Sequence, residues 1–249
     1  MPTGDAARIG QSPTGARTMS PAMRQMEAYP RYLFGNVAGV LGQRVLEIGV
    51  GYGTYTALLR EAGKEVLATD IDPERLRAVA ERFAGDPLVH TERIDLGDWS
   101  SIQALEAYQA DSVICLNVLE HVRDDVAALA GLRMCVAPGA ALGLIVPAHA
   151  WLFGRMDAEA GHFRRYTRGS LRDALALGGW AVNRVRYINL IGVAGWYYHN
   201  RLRKNAGLAD AAVNRQMRGA DRWLPRLARL TDPVFGRIAG LSVLAIGRA

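Results

Sequence analysis

Residues 45–54 read Val-Leu-Glu-Ile-Gly-Val-Gly-Tyr-Gly-Thr, and this stretch decides the fold class of the chain. A short apolar run typical of a β-strand contains one acidic residue and leads into three alternating glycines, and a helical pattern begins at Thr54. Glycine lets the backbone turn sharply and lets a ligand approach closely, because no Cβ intervenes. Open α/β sheets bind nucleotide-like ligands at such loops, at the carboxyl ends of their strands. The stretch predicts a ligand site in an α/β sheet, with a purely structural strand–turn–helix corner as the alternative.

The glycine spacing argues against a dinucleotide site. That fingerprint requires Gly-x-Gly-x-x-Gly, whereas here the third glycine comes one residue early, at Gly53. The carboxylate of Glu47 would also repel a pyrophosphate group. The sequence pattern Glu-Ile-Gly-x-Gly-x-Gly instead resembles the first motif of the class I S-adenosylmethionine (SAM) methyltransferases. The resemblance implies a Rossmann-like fold, SAM as cofactor, S-adenosylhomocysteine as product, and cofactor contacts from Glu47, Gly49, Gly51 and Gly53.

The composition predicts an ordinary globular protein. Of its 249 residues, 50% are hydrophobic and 22% are charged, which suits one α/β domain. Cys115 and Cys135 are the only cysteines, which disfavours a disulfide scaffold, a zinc site and the iron–sulfur cluster of radical SAM chemistry, so no metal site is predicted. No apolar run reaches the roughly 18 residues of a membrane span, and no signal peptide is evident. We expect a cytoplasmic protein with a flexible leader over residues 1–20 and a single domain over residues 21–249.

Strand-like and helix-like segments alternate along the first 190 residues. Short apolar runs rich in Val, Ile and Leu are typical of parallel strands that are covered on both faces. The alternation predicts a doubly wound parallel sheet of seven strands with helices on both faces, the last strand following an insertion. Helices are predicted at 54–62, 73–83, 124–136 and 168–177, and strands at 44–48, 65–70, 88–93, 111–116, 141–146, 180–188 and 241–248.

The interval 192–240 interrupts this rhythm before the last strand. It is too long for a simple connection, so it should contain helices of its own. It holds nine Arg and Lys residues against three Asp, a difference equal to the net charge of +6 of the whole chain. Two interpretations stay open, a solvated helix face and a patch for an anionic substrate or an anionic membrane surface. The basic residues are Arg201, Arg203, Lys204, Arg215, Arg218, Arg222, Arg226, Arg229 and Arg237.

The end of the second strand offers two aspartates for a ribose. Asp72 directly precedes Pro73, the arrangement of a helix N-cap followed by a first-turn proline. Asp70 is then left to accept hydrogen bonds from ribose hydroxyls, which is the role that the resemblance implies for an acidic residue at this place, together with the adjoining Ile71.

The ends of the third and fourth strands continue the resemblance. Asp95 matches the family's adenine contact, with the backbone N–H of Leu96 on the ring, while Asp98 better suits a helix cap. Residues 116–122, Leu-Asn-Val-Leu-Glu-His-Val, resemble the fourth motif, which implies that Asn117 lies beside the methionine end of the cofactor. His121 is more simply a turn histidine than a catalytic one. Pro138-Gly139 matches the family's turn before the fifth strand.

The segment after the fifth strand is dense in His, Arg, Tyr and Asp, as binding loops often are. Its "PAH…D…GH.RRYT" pattern resembles a bacterial subgroup of small-molecule methyltransferases, which also has a Gly-Trp pair, here at Trp196. His149 and His162 are the candidate general bases, because imidazole titrates near neutral pH. The expected acceptor contacts are Trp151, Asp157, Arg164, Arg165, Tyr166 and Trp196, although Asp157 could instead pair with an arginine and Tyr166 could simply pack.

A helical pattern precedes the first strand. In similar enzymes this element covers the cofactor, which makes Tyr32 a candidate cofactor contact and Tyr29 a candidate acceptor contact. The alternative is aromatic packing of both rings against the sheet.

Methyl transfer from SAM to an O or N atom of a small metabolite by in-line displacement is the function that these motifs favour, with an acceptor that could carry negative charge. The alternatives are a lipid-linked or membrane-associated glycan acceptor, with peripheral membrane contact not favoured, and a non-catalytic SAM-binding protein. A nucleic-acid substrate is disfavoured, because the residues after the fourth strand, Asn117-Val-Leu-Glu, lack the Asn-Pro-Pro-Tyr-type motif of amino-directed DNA enzymes.

Overall fold

The computed structural model describes residues 20–199 and 207–249. Its centre is a seven-stranded sheet of order β3-β2-β1-β4-β5-β7-β6. The expected sheet and its helices on both faces are confirmed. The strands are β1 (Arg44–Ile48), β2 (Glu65–Asp70), β3 (Val89–Arg93), β4 (Ala110–Leu116), β5 (Val136–Pro147), β6 (Ala181–Ile188) and β7 (Ser242–Arg248).

The direction of β7 departs from the parallel sheet that the sequence predicts. β7 runs antiparallel to both β5 and β6, whereas β3, β2, β1, β4 and β5 pair in parallel. The cause is the route of the chain. After β6 it passes through the helical insertion and returns to the same edge, where the Leu241 N–H donates to the Asn189 carbonyl at 3.0 Å. A strand that starts where its neighbour ends has to run back along it.

The helices begin largely where the sequence places them. Asp72 accepts the N–H of Glu74 at 2.9 Å and Asp98 accepts the N–H of Ser100 at 3.0 Å, so both are helix caps as expected. The helices are α1 (Ala28–Val37), α2 (Thr54–Glu61), α3 (Pro73–Arg82), α4 (Trp99–Gln103), α5 (Asp125–Met134), α6 (Arg155–Ala160), α7 (Arg168–Leu177), α8 (Leu190–Tyr197), α9 (Ala211–Asp221) and α10 (Leu224–Phe235).

β5 begins five residues earlier than the sequence suggests. Val136 already pairs with Ala110, and the regular register resumes only at Ala141. The predicted turn lies in this irregular stretch, where Gly139 has a φ of +78°.

The insertion contains helices as predicted, although α8 starts two residues before it. The predicted basic residues Arg201, Arg203 and Lys204 lie outside the described residues. So does the predicted leader except for Ser20, which is buried and donates to Asn214 of α9 at 2.7 Å. No helix within the described ranges is long and apolar enough to span a membrane.

Candidate active site

A cavity of about 1360 Å³ lies at the carboxyl edge of the sheet. Because the carboxyl ends of parallel strands meet at one edge, the loops after β1 to β4 form one side of it, here called the strand-end wall. The side formed by α1, α6, α8 and the loop after α6 is called the second wall. The strand-end wall includes Gly49, Gly51, Asp70, Ile71, Asp95, Leu96 and Asn117, and the second wall includes Tyr29, Met156, His162, Arg165 and Trp196.

The glycine loop needs glycine for its conformation and for space. Gly49 and Gly51 have φ values of +76° and +52°, which L side chains rarely adopt. A Cβ on Gly49 would lie 2.4 Å from Cγ2 of Val118. Gly53, the third predicted contact, caps α2 behind the loop and is not among the described lining residues.

Glu47 lies beneath the loop instead of on the cavity surface. Its side chain is buried and accepts a hydrogen bond from Thr56 Oγ1 at 2.6 Å, while Oε1 has no partner among the described residues. Burial raises the pKa of Glu47 to about 8 against the opposing hydrogen bond from Thr56. The resemblance predicts a direct cofactor contact from Glu47, and the buried side chain is not placed to make one.

Asp70 and Asp95 present carboxylates to the cavity. Asp70 accepts the N–H of Gly51 at 3.1 Å and the N–H of Asp72 at 3.0 Å, one on each oxygen. Asp95 Oδ1 accepts the N–H of Gly97 at 2.8 Å. Burial raises the pKa of Asp70 although these hydrogen bonds oppose the shift. Each carboxylate is held by backbone groups and keeps lone pairs for donors in the cavity.

Asn117 and Tyr32, both predicted as cofactor contacts, lie in different places relative to the cavity. Asn117 lines the cavity with a φ of +56°, held by its N–H donating to the Ile145 carbonyl at 2.8 Å. Tyr32 does not lie among the described lining residues. Its buried hydroxyl donates to Asp232 and accepts the N–H of Asn189 at 3.0 Å, so it ties α1 to α10 instead of contacting a cofactor.

His162 is the candidate base that reaches the cavity. Its Nδ1 lies 2.9 Å from Oδ1 of Asp157, and Arg165 Nε donates to the same oxygen at 2.7 Å. Asp157 is fully buried, and although burial opposes it, the hydrogen bonds from His162 and Arg165 hold the pKa of Asp157 below its usual value. Asp157 therefore positions His162 and Arg165 and does not contact the cavity itself.

A second carboxyl group faces His162 from the end of β4. Glu120 is buried, both of its oxygens lack a hydrogen-bond partner among the described residues, and Oε1 lies 3.9 Å from His162 Nε2. Burial raises the pKa of Glu120 to about 7, against the nearby His162 and Arg165. Glu120, His121 and His162 bring three ligand atoms within 4.8 Å of one another, an arrangement that could also hold a metal ion.

His121 also lines the cavity. Burial and the neighbouring His162 lower the pKa of His121 to about 4, and the two rings lie 4.7 Å apart at 78°. A neutral imidazole therefore packs against the candidate base.

His149, the other candidate base, lies away from the cavity. Its ring stacks on Tyr187 at 4.6 Å, and burial lowers the pKa of His149. Trp151 lies beside it, with ring centroids 5.7 Å apart, and is 54% exposed. Neither is among the described residues that line the cavity.

The side chains of the Arg164-Arg165-Tyr166 sequence do not all face the cavity. Arg165 lines the cavity, with its guanidinium 4.6 Å above the Trp196 ring. Arg164 donates to the Val122 carbonyl at 2.9 Å and pairs with Asp125 at 3.1 Å. The buried Tyr166 donates to the same Asp125 at 2.7 Å. Arg164 and Tyr166 therefore hold the loop and are not placed to contact an acceptor.

Asn189 and Glu120 are among the lining residues that sequence reasoning did not name as site residues. Asn189, at a φ of +61°, donates through Nδ2 to the Tyr29 hydroxyl at 3.2 Å and so links α8 to α1. The signal for Glu120 was present, since Glu120 is the lone acidic residue of the motif at residues 116–122.

Comparisons with known proteins agree with this geometry. Residues 46–142 match the family model described as "Methyltransferase domain". The "Ubiquinone biosynthesis O-methyltransferase" of Psychrobacter arcticus is 31% identical over 101 residues, which are 41% of this chain and 39% of that relative. The chain therefore spans about two fifths of the length of this curated relative.

Two solved structures share the fold over most of the chain. The SAM-dependent methyltransferase from Mesorhizobium loti has a TM-score of 0.59 and 16% identity, covering 91% of this chain and 100% of that one. A SAM-dependent methyltransferase from Archaeoglobus fulgidus has a TM-score of 0.59 and 14% identity, covering 91% and 96%. At these identities the likeness concerns the fold.

The family match and the strand-end wall coincide. Residues 46–142 contain the glycine loop, Asp70, Asp95 and Asn117, and the likeness in fold covers 91% of the chain. Residues 46–142 are therefore similar to methyltransferase domains, and the described chain has the fold of the SAM-dependent methyltransferases, whose cofactor is SAM.

Proposed function

We propose that the chain transfers the methyl group of SAM to an oxygen atom of a small-molecule acceptor, with His162 as the general base. The observation that carries the proposal is the single cavity in which His162 and the strand-end wall meet. Nitrogen remains the other acceptor atom, and oxygen is preferred because the curated relatives are named O-methyltransferases.

The strand-end wall suits the chemistry of SAM. Asp70 and Asp95 offer carboxylate lone pairs, which accept hydrogen bonds from ribose hydroxyls and from an adenine amine. Carboxylates also favour a cation over a pyrophosphate. When bound, SAM supplies a methyl group already activated by the positive sulfonium. We assign Asp70, Ile71, Asp95, Leu96 and Asn117, together with Gly49 and Gly51, to its binding.

The Asp157–His162 pair suits proton removal. Asp157 accepts from Nδ1–H of His162, which leaves the lone pair on Nε2. An acceptor hydroxyl within hydrogen-bond reach would give its proton to Nε2 as its oxygen forms the bond to the methyl carbon, whose bond to sulfur breaks to leave S-adenosylhomocysteine. Positioning can supply about 7–11 kcal/mol of barrier reduction, and a general base typically adds about 10²–10⁴-fold in rate.

Arg165 and Trp196 favour an acceptor that carries negative charge. Nε and Nη1 of Arg165 are engaged by Asp157 and by the Ala148 carbonyl, which leaves Nη2. Nε1 of Trp196 is buried without a hydrogen-bond partner among the described residues, and both side chains line the cavity. These N–H groups could donate to a phosphate, a carboxylate or a phenolate on the acceptor.

The test is methyl transfer from methyl-labelled SAM to a host-cell extract, with His162→Asn beside the exposed control His90→Asn. We expect labelled product from the wild type and the control, a loss of about 10²-fold or more in His162→Asn, and the same SAM affinity in all three. SAM binding without any product would favour the non-catalytic alternative. If a chelator abolishes activity and a divalent metal restores it, His162 is a metal ligand together with Glu120 and His121, and its role as the base is overturned.

A further inference from the structure

The outer face of α10 is the most apolar exposed surface that the described residues present. Six of the fourteen exposed large hydrophobic residues fall within residues 223–238. Large contiguous apolar patches are uncommon on monomeric proteins and mark interaction surfaces. The six, with their exposed fractions, are Trp223 (47%), Leu227 (42%), Leu230 (73%), Val234 (65%), Phe235 (43%) and Ile238 (73%).

Five of these residues make one row, whereas Phe235 lies one position after Val234 and so about 100° around the helix. Steps of four, three, four and four residues from Trp223 to Ile238 keep the side chains on one face of a helix with 3.6 residues per turn, continued by the turn after Phe235. The opposite face is buried through Pro225, Ala228 and Asp232. The row therefore points away from the protein and is not part of its core.

A row of arginines runs beside the apolar row. Arg222, Arg226 and Arg229 each precede an apolar row residue by one position, and Arg237 precedes Ile238 in the same way. All four are exposed. The only acidic residue of this segment, Asp232, is buried, where it accepts from Tyr32 and from the Asn189 N–H. The exposed charge of the face is therefore wholly positive.

An apolar row flanked by cations matches the interface of an anionic bilayer, where hydrophobic side chains enter the acyl boundary and arginines meet lipid phosphates. We propose that α10 docks the protein on an anionic lipid surface and that the acceptor is held in that membrane. The membrane-held acceptor rests on the proposed methyl transfer, whereas the docking of α10 on lipid does not.

The cavity reaches this surface. Trp223 is at once the first residue of the apolar row, a half-exposed side chain and part of the cavity lining, together with its neighbour Leu224. An acceptor anchored by a lipid chain could therefore enter beside α10 while its polar end meets Arg165 and Trp196.

Vesicle co-sedimentation of the full chain tests the docking. We expect binding to phosphatidylcholine vesicles that contain phosphatidylglycerol, weaker binding to phosphatidylcholine alone, and loss of that preference as salt shortens the screening length. Leu230→Gln with Ile238→Gln should weaken binding about tenfold or more. The matched control is Leu177→Gln with Met134→Gln, at 73% and 65% exposure on α7 and α5, and should change it by less than about twofold.

Arg226→Gln with Arg229→Gln tests the contribution of positive charge. This double substitution should weaken binding to the anionic vesicles by about tenfold at low salt and leave binding to phosphatidylcholine vesicles unchanged. Docking is overturned by absent or lipid-independent binding, or by an equal effect of the control pair. It is also overturned if the wild type is a dimer that Leu230→Gln with Ile238→Gln converts to monomer, since the row would then cover a second copy.

The acceptor clause has its own readout. Label from methyl-labelled SAM should appear in the organic fraction of a membrane extract, and label confined to an aqueous product would overturn that clause. Vesicle binding without any methyl transfer would leave the docking intact and count against the proposed function, so the two failures are distinguishable.

Discussion

The two walls of the cavity are built in different ways. The strand-end wall is held by contacts over shorter sequence separations, from two residues for Asp70 with Asp72 and for Asp95 with Gly97 to 19 for Asp70 with Gly51. The second wall depends on contacts that join distant parts of the chain. Tyr29 meets Asn189 across 160 positions, and Tyr32 meets Asp232 across 200. One wall can therefore be inferred from motifs, while the other exists only once the chain has folded.

The largest expected effect is on stability and comes from a substitution in the second wall. Asp157→Ala leaves the Arg165 guanidinium buried without its ion-pair partner, since the side chains of both residues are almost inaccessible. We expect the free energy of unfolding to fall by about 3–5 kcal/mol in urea denaturation. Glu61→Ala, which removes an exposed pair with Arg31, should lower the free energy of unfolding far less, because solvent screens that pair. Similar losses in both variants would mean that the Asp157 network does not support this wall.

Asp70→Ala tests the strand-end wall. Loss of hydrogen bonds to a charged acceptor should weaken SAM binding by about 1.5–3 kcal/mol in calorimetric titration. The comparison is Asp98→Ala, an exposed helix cap outside the cavity lining, which should lower stability and leave SAM affinity unchanged. Unchanged SAM affinity in Asp70→Ala would show that the second motif is misassigned.

Tyr32→Phe sharpens the distinction between contact and support. The hydroxyl that it removes holds Asp232 and the Asn189 N–H, so stability should fall by about 1 kcal/mol or more in chemical denaturation. SAM affinity should stay within about twofold, because at this energy scale a direct contact would cost more. A fall in affinity at unchanged stability would instead restore the direct cofactor contact expected from the sequence.

The smallest change, taken per pH unit, concerns two buried carboxyl groups, Glu47 in β1 and Glu120 in the turn after β4. Burial raises their pKa values to about 8 and about 7, so the folded state holds protons that the unfolded state releases from about pH 4.5 upward. Stability should therefore decrease as pH rises from about 5 to about 8. Glu47→Gln and Glu120→Gln should each flatten this slope, by less than the one-proton limit of about 1.4 kcal/mol per pH unit. An unchanged slope in both variants would contradict these protonation states.

The elements that the sequence predicts well are those with local causes. The glycine loop, the caps Asp72 and Asp98 and the strands β1 to β4 follow from turn chemistry, capping and apolar runs within a few residues. The acceptor segment shows where this stops. Its residues are close together in sequence, yet His162 and Arg165 reach the cavity while His149, Arg164 and Tyr166 do not.

The sequence by itself determined the α/β class, the order of the elements and the cofactor motifs, because hydrophobic period and backbone preference are properties of short segments. Only the tertiary structure decided the antiparallel course of β7, which of His149 and His162 lines the cavity, and the exposure of the apolar row on α10. Each of these depends on which surfaces meet after long-range packing. A row such as the one that includes Leu227 and Leu230 looks the same in sequence whether a core covers it or not.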